Sequence, residues 1–408
     1  MTKIKVVDSI MGSGKTSAAI QMMNKVDDNK YIYITPYLDE IQRIKDICNQ
    51  RKFYEPKVFS KDGETFFKLD SLHRLLTEGK DIATTHALFK MATDETRELI
   101  YNEGYTLILD EALEVIQELK VSHDDIKMLL KEWMYETNNG LIQWDTERES
   151  IQGVYSGKFQ PVRRYTLNNN LIMHNGVILL WNFPPDIFRL FKESYILTYL
   201  FDAQLQKYYF DIHEIESEHY RVQRDNNLYR FVESINTSEK AIKKSIKSNI
   251  IIYNGILNKI GDDVYSLSKS WYNKKTHLHK QLKNNTLNYF SNIMKSKSNE
   301  NMWTTYKDYR PKISGKGYTK GFVSITERST NKYQHKKVLA YTVNRFVSPL
   351  LESYFHTKNI KIDQDLFALS EMVQWIWRSA IRNNEKINLY IPSYRMRQLL
   401  IRWLDDEL

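Results

Sequence analysis

The feature that most constrains this fold is the run Ser9 to Thr16 (S-I-M-G-S-G-K-T). It lies between an apolar strand pattern, Ile4 to Val7, and a helical stretch from Lys15 to about Lys25. A phosphate group needs a concave set of backbone N–H groups, a helix N-terminus and a cation. Gly12 and Gly14 permit the tight backbone, Lys15 can reach β- and γ-phosphates, and the Thr16 hydroxyl suits Mg²⁺. Met11, Ser13 and Ser17 complete the candidate cradle. Ser9 stands where such loops usually carry their first glycine, a tolerable change to another small residue.

Further short apolar runs alternate with helical patterns: Tyr31–Ile34, Asp81–Thr84, Thr106–Leu109, Val177–Leu180, Tyr195–Thr198, Asn249–Tyr253, Gly321–Ile325 and Ile387–Ile391. That rhythm argues for parallel α/β sheets with crossover helices. The 408 residues are too many for one ordinary core and predict two domains, 1–235 and 236–408. Residues 121–175 break the rhythm, with a helix around Ile126 to Tyr135 and then β-like Leu141–Trp144 and Gly153–Tyr155. They read as an insertion in the first domain.

The strand Thr106–Leu109 ends in Asp110-Glu111, which places two carboxylates at the carboxyl edge of a sheet, where ligands bind in open α/β folds. Asp110 is suited to hold Mg²⁺ and Glu111 to polarise an attacking water. With the glycine loop upstream, the pair points to an ATPase.

Charge is unevenly spread. The net is +9, but residues 240–345 hold 22 Lys and Arg against 5 Asp and Glu, a net of +17, which leaves −8 on the remainder. A basic segment on an otherwise acidic chain suggests a polyanion, although a solvated lysine-rich surface gives the same count. The segment 274–320, rich in Lys, Asn and Ser, reads as a mobile loop or a nucleic-acid surface. Its interleaved aromatics, among them Trp271, Tyr289 and Trp303, are candidates for base stacking. The single Cys48 excludes an internal disulfide and a cysteine zinc cluster. No signal peptide or membrane-length apolar run is visible, so a cytoplasmic protein is expected.

Taken in order, these residues resemble the superfamily 2 DEAD/DEAH-like helicases, and most of all compact, phage-type ones. Ser9–Thr16 looks like motif I, Ile34–Tyr37 like motif Ia and Ala83–Leu88 like motif Ib. Leu109–Ala112 (L-D-E-A) looks like motif II, Tyr195–Tyr199 sits at motif III, Thr330–Tyr333 at motif V, and Gln374–Arg382 is similar to motif VI. The resemblance implies a P-loop NTPase of two tandem RecA-like domains with ATP and Mg²⁺ between them. It makes Arg378 an arginine finger, with Gln374 and Arg382 as companions. The spacing of those three residues, i, i+4 and i+8, also places them on one helix face. Arg382 follows Arg378 by four residues where the family usually has three.

In this family nucleic acid is gripped through its backbone. Thr35, Pro36, Thr84, Thr85, His86, Thr330 and Asn331 are the matching loop positions. The implied activity is ATP-driven movement on nucleic acid, with DNA containing a single-stranded segment as the expected partner, in phage or mobile-element replication, recombination or repair. Two alternatives stay open: an ATPase that remodels or packages DNA without unwinding it, and an RNA helicase.

Overall fold

The structure, a computed structural model, describes residues 3–61, 64–234, 239–327 and 332–408. It divides into two compact units. The first comprises Met1–Ser9, Gly14–Glu233 and Ser348–Ile362; the second comprises Ile10–Ser13, Ser234–Val347 and Asp363–Leu408.

The first unit is built on strands β1 (Ile4–Asp8), β2 (Tyr31–Thr35), β3 (Ile82–Thr85) and β4 (Thr106–Asp110). A smaller module follows, with β5 (Ile116–Glu118), β6 (Met134–Glu136), β7 (Ile142–Trp144), β8 (Leu171–His174) and β9 (Ile178–Asn182). The chain then returns as β10 (Glu193–Thr198), β11 (Ser217–Asp225) and β12 (Leu228–Glu233). The main sheet runs β12-β11-β1-β10-β4-β2-β3, parallel throughout except for the β11/β12 hairpin at its edge. Alternate residues of its central strands feed two cores. Ile32, Ile34, Leu107 and Leu109 face one, and Tyr31, Tyr33 and Ile108 face the other. Burial on both faces explains why β2 and β4 read as continuous apolar runs.

The hairpin ends at Glu233, the last residue of the first unit's main segment. Its outer faces are polar, but it is tied to the helix Lys15–Met23. Gln21 donates to the Asn227 carbonyl (2.8 Å) and accepts from the Tyr229 N–H (2.8 Å).

The inserted module has its own core, including Ile126, Leu129, Trp144, Phe159, Leu171 and Leu179. Strands β8-β9-β5 form an antiparallel sheet and β6/β7 a hairpin. Gly153–Tyr155, expected as strand, follows the helix Thr146–Gln152 without forming one. Tyr155 instead donates its N–H to Glu149 (2.9 Å), whose carboxylate meets Arg163 through two contacts of 2.7 Å. The helix Pro349–Thr357, expected in the second domain, packs in the first unit. Its Ser353 hydroxyl lies 3.1 Å from His174 Nε2, Tyr354 sits edge-on to the His174 ring, and Phe355 meets Tyr208. Long-range contacts decide that placement, and local pattern does not carry them.

The second unit carries β13 (Ile250–Ile252), β14 (Asn301–Thr304), β15 (Val338–Tyr341) and β16 (Ile387–Tyr390) in a parallel sheet ordered β13-β16-β15-β14. Gly321–Ile325 makes only a single bridge, Trp303 to Phe322, in place of the expected strand. Residues 274–320 are not a loop. They form the helices His279–Asn288 and Arg310–Ile313 and strand β14 around buried Leu282, Tyr289, Phe290, Trp303 and Tyr318. The helix expected over Asp365–Arg382 runs Gln364–Ile376.

Arg163 hydrogen bonding holds the Glu149 carboxyl down to about 2. A depressed acid contributes stability above its unfolded pKa and loses it as pH falls through the folded value. Glu149→Gln should therefore lower the thermal midpoint at pH 7 relative to wild type. The gap should close as pH drops from about 4.5 towards 2, read by circular dichroism melts.

Candidate nucleotide and strand-contact site

Three strand ends of the first sheet meet at one edge. Strand β10 lies between β1, which leads into the glycine loop, and β4, which ends in Asp110. The ends are stitched together. Ser9 donates its N–H to the Thr198 carbonyl (3.2 Å), and Glu111 donates its N–H to the Leu197 carbonyl (2.9 Å). The Asp8 carboxylate accepts the N–H groups of Leu200 and Phe201, both at 2.8 Å. Two non-glycine residues at this edge, Glu111 (φ 67°) and Leu200 (φ 55°), hold left-handed backbone. Such residues cost roughly 1–3 kcal/mol each and persist only where surrounding bonds impose them.

The glycine loop has the geometry its sequence implies. Gly12 (φ 81°) and Gly14 (φ 93°) take conformations that L side chains rarely adopt, and Gly14 caps the helix Lys15–Met23 without a side chain. A Cβ on Gly14 would also lie 2.3 Å from the Tyr229 ring. Ser9 is buried, and its hydroxyl accepts the Val222 N–H (3.0 Å), so the residue in the usual glycine place ties the loop to β11. Lys15 Nζ folds back onto the Ser9 carbonyl at 2.5 Å. Met11, Ser13, Thr16 and Ser17 are all partly exposed around the loop and first helical turn.

Asp110 is buried. Its Oδ2 accepts from the Tyr33 hydroxyl (3.0 Å) and the Thr35 hydroxyl (3.4 Å). Burial, then the Glu111 and Glu40 carboxylates, push the Asp110 carboxyl up to about 7, against the pull of Tyr33 and Lys15. Lys15 and Asp110 thus feel each other's charge across the β10 strand. Burial likewise raises Asp8, opposed by its two backbone donors and by Lys15.

Of the strand-contact candidates, Thr35 and Thr84 are 0% and 2% exposed, so their side chains are not at the surface. Pro36, Thr85 and His86 are half-exposed. The Thr85 hydroxyl caps the short helix His86–Phe89 by accepting from Leu88 N–H, and His86 Nε2 lies 2.9 Å from the Asp110 carbonyl oxygen. Thr330 and Asn331 lie outside the described residues.

Gln374, Arg378 and Arg382 do not share a helix face. Gln374 is on the helix, Arg378 is in the turn after it, and Arg382 is in the 3-10 turn Ala380–Asn383. The Ser379 hydroxyl donates back to the Ile376 carbonyl (2.7 Å), and Ala380 N–H leaves the helix for the Lys336 carbonyl (2.9 Å). Arg378 is buried, with Nη1 3.4 Å from the Ile325 carbonyl, whereas Arg382 is exposed and Gln374 half-buried.

Asp8, Tyr33 and Gln204 join this edge although none of them lies in a recognised motif. Gln204 Nε2 donates to the Thr198 hydroxyl (2.8 Å) and the Tyr199 carbonyl (2.9 Å) beyond the end of β10. Asp8 had a visible signal, an acid closing an apolar strand as Asp110 does. In the second unit, Asn344 and Arg345 follow β15. Asn344 Nδ2 donates to the Val264 and Ser266 carbonyls, and Arg345 pairs with Glu371.

Comparison with known proteins is consistent with this architecture. Residues 244–404 match the model of the YonV C-terminal Rossmann-like domain, and residues 116–181 match the YonV middle domain. The SPbeta prophage-derived uncharacterized protein YonV of Bacillus subtilis (strain 168) is 54% identical over 100% of both chains. A solved XPD helicase superposes on 99% of this chain and 95% of its own, with 12% identity and a TM-score of 0.52. Xpd4 of S. tokodaii aligns over 98% and 94%, with 12% identity and a TM-score of 0.49. The first of these likenesses shows the fold: mixed α/β with two RecA-like domains. No helix among the described residues is long and apolar enough to cross a membrane.

A raised carboxyl stabilises the folded state below its unfolded pKa, near 3.8, and loses that contribution as pH rises through about 7. Asp110→Asn stays neutral and can still accept from Tyr33. In magnesium-free buffer its thermal midpoint should therefore exceed wild type by a margin that grows from pH 5 to pH 8. Parallel melting curves would show that Asp110 does not carry this strain.

Proposed function

The chain belongs to the YonV family, and from that premise and the strand-edge geometry we propose that it is an ATP-hydrolysing nucleic-acid helicase or translocase of the superfamily 2 type. We take DNA with a single-stranded segment as its partner, in phage or mobile-element replication, recombination or repair. The observation that carries the reading is the convergence of Lys15, Asp110 and Glu111 on one sheet edge, close enough for Lys15 to oppose the upward shift of Asp110. The fold shared with an XPD helicase supports it.

The residues fit a magnesium nucleotide. Asp110 is an acid kept from full ionisation by its burial and then by its carboxylate neighbours, a state that a divalent cation relieves. Thr16 and Asp110 would hold Mg²⁺, which when bound neutralises phosphate charge. The N–H groups of the 12–17 loop and Lys15 bind the phosphates. Lys15 exchanges the Ser9 carbonyl for a phosphate oxygen, a stronger, charge-assisted partner. Glu111 orients the attacking water from its left-handed position. Arg378 stabilises the charge that develops on the transferred phosphoryl group, with Gln374 and Arg382 in support. Thr85, His86 and Pro36 are the half-exposed strand-contact positions on the first unit, and Thr330 and Asn331 their counterparts on the second domain. His86 joins this set to catalysis through its bond to the Asp110 carbonyl.

ATP turnover should rise severalfold on adding single-stranded DNA, with duplex DNA and RNA as comparison arms. Turnover indifferent to all three would sink the motor reading. Stimulation by RNA alone would make the partner RNA. Lys15→Ala should abolish turnover. Glu111→Gln should abolish it while nucleotide binding, read by equilibrium dialysis, persists. Arg378→Ala should slow hydrolysis by about 10³- to 10⁵-fold, the range for arginine fingers.

A further inference from the structure

The basic segment of the second unit is a built layer. The helices Lys269–Lys274, His279–Asn288 and Arg310–Ile313 surround β14, the edge strand of the sheet. Between residues 269 and 320 stand 12 Lys and Arg against two acids, Glu300 and Asp308. Lys283 is half-buried and the other eleven cations are exposed. Among the described residues, none of the twelve makes an ion pair. Elsewhere in the same unit several cations are matched: Lys243 meets Asp406 at 2.8 Å, Lys337 meets Glu385 at 2.7 Å and Arg395 meets Asp365 at 2.7 Å.

The aromatics of this layer point the other way. Trp271, Tyr272, Tyr289, Phe290, Trp303 and Tyr318 are all buried in one core. Half-buried Tyr306 spends its hydroxyl on the Asn344 carbonyl (2.7 Å). The surface thus offers cations without rings for bases to stack on. Direct readout of bases is poorly served by ammonium groups on flexible stems, which act as point charges towards phosphate.

We propose that the 269–320 layer is a phosphate-tracking platform that holds nucleic acid by its backbone alone, independent of base sequence and of nucleotide. This extends the motor reading by naming the second unit's contact, but its test does not depend on ATP turnover. Backbone binding releases counterions, so affinity falls with salt by a log–log slope of about −0.9 per phosphate contact for duplex DNA.

The test uses the full chain without nucleotide and two labelled duplexes of unrelated sequence. Fluorescence anisotropy is read across a range of KCl concentrations. The variant replaces Lys274, Lys275, Lys280 and Lys283 by Gln, and a second replaces the same four by Arg. The Gln variant should lose about three to four units of slope, while the Arg variant and Lys15→Ala keep the wild-type slope. Both duplexes should bind alike, and the melting midpoints of the variants should match wild type. A Gln variant with the wild-type slope overturns the proposal. So does strong preference for one sequence, or binding to polyglutamate without binding to DNA, which would assign the surface to an acidic protein. Absent ATP turnover with an intact slope effect would remove the motor reading and leave the platform standing.

Discussion

Everything at the candidate site depends on the stitching of three strand ends. Asp8 grips two backbone N–H groups beyond β10, Ser9 bonds the Thr198 carbonyl, and Glu111 bonds the Leu197 carbonyl. These bonds fix β10 between the glycine-loop strand and the acidic strand. They also hold Glu111 and Leu200 in left-handed backbone that neither side chain favours. A local sequence preference could not produce that edge; it needs three chain segments separated by about a hundred residues each. The same bonds leave Glu111 little freedom to drift, which the water-orienting role proposed for it requires.

The α/β character, two RecA-like domains and an insertion in the first were legible in the sequence, because strand runs buried on both faces are apolar without interruption. So was the cradle conformation of Gly12 and Gly14, since their φ values leave few other residue choices. The helix end at Ile376 was not legible. No glycine or proline marks it; it follows from the bond between Ala380 and Lys336, a contact across 44 positions that no local pattern announces. Polar composition misled at the 269–320 layer, which shows its polar side outward and hides an aromatic cluster. Stacking by those rings, a natural inference from interleaving, gives way to burial. Thr35 and Thr84 likewise are buried at the ends of their strands, where the motif comparison had them in loops.

The inserted module shows another balance of forces. Its core is small, and a two-point Arg163–Glu149 contact fastens the helix Thr146–Gln152 to the helix Gln160–Leu167. Planar guanidinium against planar carboxylate fixes direction as well as distance, which a lysine in the same place would not do.

The route of the chain through residues 348–362 has a consequence for how this protein can be divided. The backbone leaves the second unit after Val347, lends the first unit a helix that meets His174 and Tyr208, and re-enters the second unit at Asp363. The two units therefore cannot be separated by one cut. A fragment ending near residue 235 would lack a helix of its own unit and bare the aromatic surface that helix covers. Its complement would carry the orphaned helix as an exposed apolar arm. Neither half is a module that could be exchanged intact, so the two are expected to be inherited, lost and duplicated as one piece.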